Sequence, residues 1–354
     1  MSYLKINHVA IRGIAACVPK RIEENKDFPG LSIEEYEKYR QATGIERRHC
    51  TIHDGSVCTS DLCYVAAEKL LQELQWKKEE IGLLIFVSHT ADYKLPSTAC
   101  ILQERLELPT DCMAFDSPLG CSGYVYGLSI ASSLLSHGYI KKALLLVGNT
   151  QSFYASPKDK STALLFGDAG SATALEYNEK ATDSMHFQLY TDGAGKDALI
   201  VPDGGCRNPF SEKSLIYEES EGGNQRTRLH EVLDGMSVFS FAISQVPKSF
   251  KNLSIHTDIS VENNDYLLLH QANKLICDKI RKKLKFPEEK VPCNIHEYGN
   301  TSATSLPLMM VTELRNELSQ KKLNLLLTGF GVGLSIGTAR ITTDKIICPQ
   351  LLMI

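Results

Sequence analysis

No two cysteines in this 354-residue chain are spaced as C-x-x-C. The usual zinc-binding and thioredoxin-like spacings are therefore missing. No apolar run reaches the roughly 18 residues that a membrane span needs. The opening MSYLKINHVAIRG lacks the apolar block of a signal peptide. A strongly basic face is also missing: the formal net charge is −4, which argues against nucleic acid as the main partner. There is no phosphate-binding P-loop. The glycines of TGFGVGLSIG (Thr328 to Gly337) are wrongly spaced for a dinucleotide fingerprint, and strand-like runs flank them on both sides. These absences argue against membrane insertion and nucleotide folds, and the expected location is the cytoplasm.

What is there is ordinary globular composition, 43% hydrophobic, with length enough for a large core or two domains. The eleven cysteines are odd in number and scattered. They read as reduced thiols, most of them small buried hydrophobes. Any one of them must be promoted by its context.

Strand-like and helix-like runs alternate along the chain, the pattern of an α/β protein. GLLIFVSHT (Gly82 to Thr90) has strand length, and PSTACILQERLEL follows as a helix with Ser97 as its expected cap. DCMAFDSP is a second short strand, CSGYVYGLSIASSLLSHG a helix, and KKALLLVGNTQ a third strand. That third strand is apolar throughout, as when both faces are covered. STALLFGDAGSATALEY gives one or two strands broken by glycines, and PDGGCRNPFSEK and YEESEGGNQRTR give surface loops.

The second half repeats the plan. DYLLLHQAN is a strand entering a turn, and KLICDKIRKKLKF is an amphipathic basic helix. VPCNIHEYGNTSATSLPLMMVTELRNEL is a short strand, a turn and a helix. KKLNLLLTGFGVGLSIGTARI is two strands around a glycine turn. CMAFDSPLGCSG…YIKKALLLVGN thus parallels CNIHEYGNTSAT…QKKLNLLLTGF. A duplicated unit follows, with halves expected at residues 1–177 and 178–354. Both turns then lie at the C-terminal ends of strands, where open α/β sheets place their sites.

Three polar positions stand out. Cys121 sits between Gly120 and Gly123 at the start of a helix. There, unpaired N–H groups and the helix dipole favour thiolate, although a buried structural thiol would fit the same local sequence. His270 ends the apolar strand YLLLH, as either a site residue or a strand cap. Asn300 lies in YGNTSATS, where Gly-Asn also suits a plain turn. If the duplication holds, Cys121 and Asn300 face each other.

Taken together, these segments resemble β-ketoacyl-acyl-carrier-protein synthase III, of the thiolase superfamily of condensing enzymes. TGIERR, DYKLPSTACILQERL, AFDSPLGCSGYVYGL, LFGDAGSATAL, LLLHQAN, YGNTSATSLPL and GFGVGLSIGTARI occur in the family's order across nearly the whole chain. The resemblance implies a thiolase-like fold layered α-β-α-β-α and a homodimer. It implies Cys121 as nucleophile with His270 and Asn300 as partners, and an oxyanion hole from the backbone of Cys121 and Val332. Asn273, Phe330 and Gly331 would meet the pantetheine arm. The reaction implied is acyl transfer to Cys121 from acyl-CoA or an acyl-carrier protein, then decarboxylative condensation with malonyl-carrier protein. No metal or resident cofactor is implied. Lys274, Lys282 and Lys283, on a helix also bearing Lys279 and Arg281, would dock the acidic carrier protein. The alternatives are acyl transfer to a hydroxyl or amine acceptor, or a non-catalytic partner subunit.

The sequence also departs from that family. Lys38 and Ala42 stand where a Trp and an Arg usually clamp the CoA adenine, and the one tryptophan, Trp76, lies elsewhere. Leu275 replaces a common Arg. The family's GDGAG reads GDAGS at Gly167 to Ser171, and Val332 replaces Gly or Ala. These changes favour a carrier-protein or specialised acyl donor over acetyl-CoA.

Overall fold

The computed structural model describes residues Met1 to Ile354. Two sheets carry the fold. The first runs in the order Leu352–Met353, Val9–Val18, Asp168–Tyr177, Lys142–Thr150, Ile81–Val87, Met113–Ser117. The second runs Ser2–Ile6, Met185–Thr191, Ser335–Asp344, Lys322–Gly331, Tyr266–Leu269. From Val9–Val18 in one sheet and Met185–Thr191 in the other, successive pairings are antiparallel, antiparallel, then parallel. The two sheets therefore share one strand plan. The terminal strands are exchanged: Ser2–Ile6 pairs into the second sheet and Leu352–Met353 into the first.

The strands alternate their side chains between two apolar cores. In Ile81–Val87, Leu83, Ile85 and Val87 face the core between the sheets, while Leu84 and Phe86 face an outer one. In Lys322–Gly331, Leu325 and Leu327 face the middle, and Leu326 and Phe330 face outward. This explains the unbroken apolar runs: both faces of each strand are covered. Each fully buried Leu or Ile contributes about 1.5–3 kcal/mol.

Helices Gly123–Leu135 and Ser305–Glu313 fill the space between the sheets. Thr59–Leu74 and Thr98–Arg105 cover the outside of the first sheet. Gly235–Leu253 and Lys274–Leu284 cover the outside of the second. The result is the layered α-β-α-β-α architecture of the thiolase-like fold.

Four local expectations change. The strand expected at VPCN is absent: Pro292 lacks a ladder N–H, and helix Ile295–Tyr298 begins two residues after Cys293. Asp168–Tyr177 is one unbroken strand despite its glycine. Gly170 does not break it; a Cβ there would lie 2.6 Å from the Cys63 backbone nitrogen, so glycine lets helix Thr59–Leu74 pack directly on the strand. Ser97 occupies the cap position of Thr98–Arg105 without a side-chain cap bond. The Asp116 carboxylate accepts from Thr98 and Ala99 N–H instead, at 2.7 Å each. Finally, the loop-rich stretch after residue 177 contains Met185–Thr191, a strand buried at the heart of the second sheet.

Candidate active site

Cys121 leaves strand Met113–Ser117 through a tight turn and precedes helix Gly123–Leu135. It is buried, and its Sγ lies 3.9 Å from Ser302 Oγ. The expectation of a resting thiolate is corrected here. Burial pushes the thiol up to about 11, outweighing the Ser302 hydroxyl and the backbone N–H groups of Val332 and Cys121 that pull it down. The resting sulfur is a neutral thiol. Both backbone N–H groups are thus near enough to the sulfur to favour its charged form.

His270 follows strand Tyr266–Leu269, and its N–H donates to Thr328 O at 2.9 Å. Its ring sits edge-on to Phe330, with centroids 5.3 Å apart. Nδ1 lies 2.7 Å from Ser305 Oγ. Burial lowers the ring's pKa to about 3, against a smaller opposing pull from the Ser302 backbone. The imidazole is thus neutral across physiological pH.

Asn300 is clamped through its backbone. Its N–H donates to Leu165 O at 2.9 Å, and its carbonyl accepts from Gly167 N–H at 3.2 Å. Its Oδ1 accepts from Ser302 N–H at 2.9 Å. The carboxamide is therefore oriented with Nδ2 free to donate. The unusual GDAGS segment supplies this clamp through Gly167.

Cys121, His270 and Asn300 line one narrow cavity of about 60 Å³, together with Asn273, Phe330 and Gly331. Gly331 has φ +151°, and a Cβ there would fall 2.7 Å from Cys121 Sγ. Only glycine lets this loop approach the sulfur so closely. Asn273 caps helix Lys274–Leu284, its Oδ1 accepting from Ile276 N–H at 2.8 Å, which leaves Nδ2 available. Val332 does not line that cavity; its side chain points into a neighbouring one.

Lys274 and Lys279 are exposed on the basic helix, and Lys274 lies 3.4 Å from Asp278. Lys283 Nζ donates to Ile243 O at 2.8 Å. That carbonyl lacks its helical partner because residue 247, four on, is proline. Lys38 and Ala42 are exposed on helix Ile33–Thr43, with Lys38 paired to Glu34 at 2.7 Å. Neither forms a clamp. Trp76 lies beneath Lys142, 4.6 Å from the ring centroid, away from the site.

Reading the sequence missed Ser302 and Ser305. Both lie in the quoted segment NTSATS, but only folding shows that one meets the sulfur and the other the imidazole. It also missed His89, Gln151 and Glu231. These residues line a cavity of about 940 Å³, and no sequence spacing links them.

The fold and these residues define a condensing-enzyme type of acyltransferase. A family described as 3-oxoacyl-(acyl-carrier-protein) synthase III matches residues 115–193, and its C-terminal counterpart matches residues 256–343. The β-ketoacyl-(acyl-carrier-protein) synthase III of Streptococcus sanguinis is 34% identical over 342 residues, covering 95% of this chain and 100% of that protein. A 3-oxoacyl-(acyl-carrier-protein) synthase structure from Burkholderia xenovorans superposes with TM-score 0.92 at 36% identity, covering 100% and 99% of the two chains. One from Aquifex aeolicus gives TM-score 0.78 at 26% identity, covering 94% and 99%. The chain belongs to the 3-oxoacyl-(acyl-carrier-protein) synthase III family.

Proposed function

We propose that Cys121, His270 and Asn300 carry a two-step condensation on carrier-protein thioesters. In the first step the Cys121 sulfur attacks the donor carbonyl. A new C–S bond forms, the donor C–S bond breaks, and the thiol proton goes to the departing thiol. N–H groups of Cys121 and Val332 hold the oxyanion. In the second step the malonyl thioester loses CO₂. Its enolate oxygen accepts hydrogen bonds from His270 and Asn300 Nδ2, the carbanion forms a C–C bond to the acyl carbon, and the Cys121 C–S bond breaks to give the β-ketoacyl thioester and a thiolate that takes its proton back from water.

The observation that carries this reading is the shared cavity. A nucleophile, an oriented amide donor and a neutral imidazole converge there, beside two N–H groups near the sulfur. With Ser305 donating to Nδ1, the His270 proton resides on Nε2, where it serves as a donor. A neutral ring can stabilise an enolate without surrendering a proton to it. Retention of both His270 and Asn300 favours condensation over transfer to a hydroxyl or amine, and retention of Cys121 disfavours a non-catalytic subunit.

The exposed, already engaged Lys38 supports a carrier-protein donor rather than one held by its adenine. The helix bearing Lys274, Lys282 and Lys283 is the proposed docking face for an acidic carrier protein. Strand Met113–Ser117 ends its sheet with an open edge, and the neighbouring Leu95 is 86% exposed. An open strand edge beside exposed apolar surface supports a homodimer across it. Eleven unpaired cysteines suit a reducing cytoplasm. The test is intact-mass trapping of an acyl adduct, with CO₂ release from malonyl-carrier protein measured alongside. Both should be lost in Cys121→Ala; adduct formation persisting at the wild-type rate in that variant would refute the assignment.

A further inference from the structure

The larger cavity adjoins the nucleophile from its other side. Val332 and His89 form part of its wall, and both press on Gly120, the residue before Cys121. A Cβ on Gly120 would meet each of them at 2.7 Å. Leu199 lines both this cavity and the one containing Cys121, so the two meet there. Much of the wall is apolar, as an acyl chain requires, with Phe153 and Leu229 among its residues. Yet two of its most buried lining residues are polar. Glu231 is 2% exposed and Gln151 is 5% exposed.

Gln151 Nε2 donates to Glu231 Oε2. The remaining oxygens, Glu231 Oε1 and Gln151 Oε1, have no hydrogen-bond partner. Leaving two buried oxygens unmatched costs about 1–3 kcal/mol each. A cavity meant only for a hydrocarbon chain would gain from apolar residues at both positions. Burial pushes the Glu231 carboxyl up to about 8, so near neutral pH it is mostly uncharged in the empty site. Any charge it does carry is felt at Cys121, whose thiol it pushes upward. The pair therefore lies within electrostatic reach of the acylation site.

We propose that this cavity selects an acyl thioester whose chain carries a hydrogen-bond donor, a hydroxyl or an amino group, read by Glu231 and Gln151. The inference rests on the condensing reading above and adds the donor's chemistry to it. An incoming hydroxyl satisfies both open oxygens by accepting from the protonated Glu231 Oε1 and donating to Gln151 Oε1, and an amino group does so by donating to Gln151 and to the ionised Glu231. A plain alkyl chain leaves them unpaired, the situation in which a hydrogen-bonding site discriminates most strongly.

The test is competitive acylation of Cys121 by pantetheine thioesters, followed by intact mass. One set is butyryl, 3-hydroxybutyryl and 3-aminobutyryl; the other is hexanoyl, 6-hydroxyhexanoyl and 6-aminohexanoyl. The expected result is at least tenfold preference for a hydroxyl- or amino-bearing chain over its alkyl parent. Glu231→Leu should reverse that preference. Gln151→Leu should weaken it, which keeps the test open if the first variant does not fold. Equal or greater acylation by the alkyl parents would overturn this inference while leaving the condensing reading intact. No Cys121 adduct from any thioester, including carrier-protein donors, would overturn both.

Discussion

The His270 imidazole and the Ser305 hydroxyl, from opposite ends of the C-terminal half's active-site segments, lie 2.7 Å apart in a buried pocket. This contact fixes the orientation of the ring. Because His270 titrates near 3 rather than 6.5, the pH profile of decarboxylation should show no ionisation at 6–7 from this residue. Ser305→Ala should slow decarboxylation by about tenfold or more while sparing acyl transfer. His270→Ala should cost about 10²–10³-fold, the usual loss for a transition-state donor. Separate rates for CO₂ release and acyl-enzyme formation check both. An equal loss in the two steps would argue against a role confined to the second.

Cys121 should behave as a buried neutral thiol. Since its pKa is about 11, its alkylation rate by iodoacetamide should climb about tenfold per pH unit through neutrality, the rise of thiolate fraction below the pKa. No plateau should appear below pH 10. Saturation near pH 7 would mean that the helix N-terminus outweighs burial after all.

Gly331 should tolerate no side chain. In Gly331→Ala the new Cβ would meet Cys121 Sγ at 2.7 Å. The expected outcome is acylation reduced by at least a hundredfold in a protein that still folds. Rates of adduct formation and a melting curve separate the two effects. Local strain of this kind costs about 1–3 kcal/mol, tolerable for a fold of this size.

Lys282 and Lys283 should separate docking from stability. Lys283→Ala releases the Ile243 carbonyl and should cost about 1 kcal/mol of stability, the scale of one hydrogen bond. For Lys282 the structure shows no such internal partner. Lys282→Glu should raise KM for carrier-protein substrates several-fold, with little change for pantetheine substrates. The difference should shrink as salt screens the charges. A salt-independent effect would assign the loss to folding instead.

Much of the fold is legible in the sequence because its physics is local. Runs such as LLIFV and LNLLL are strand-length and apolar on both faces, which requires covered sheets. The Gly-rich end of the second run marks its turn. The strand expected at VPCN fails because one proline and an early helix start outweigh a likeness between halves. The Ser97 cap fails because a carboxylate from another strand, Asp116, reaches the helix first. Met185–Thr191 is hidden among loops because its pairing partners lie far off in the chain, at Ser335–Asp344 and at the extreme N-terminus.

Residue types and segment order by themselves determined the family and singled out the proposed nucleophile and its two partners, since each sits at a strand end whose turn chemistry is local. Only the tertiary structure decided their states. Burial, a property of the packed layers and not of neighbours in sequence, makes Cys121 a thiol and keeps the His270 imidazole neutral. The same packing brings Glu231 to Gln151 and leaves two oxygens open beside the acylation site. No periodicity records such a pairing, because its physical basis is the exclusion of water by segments distant in the chain.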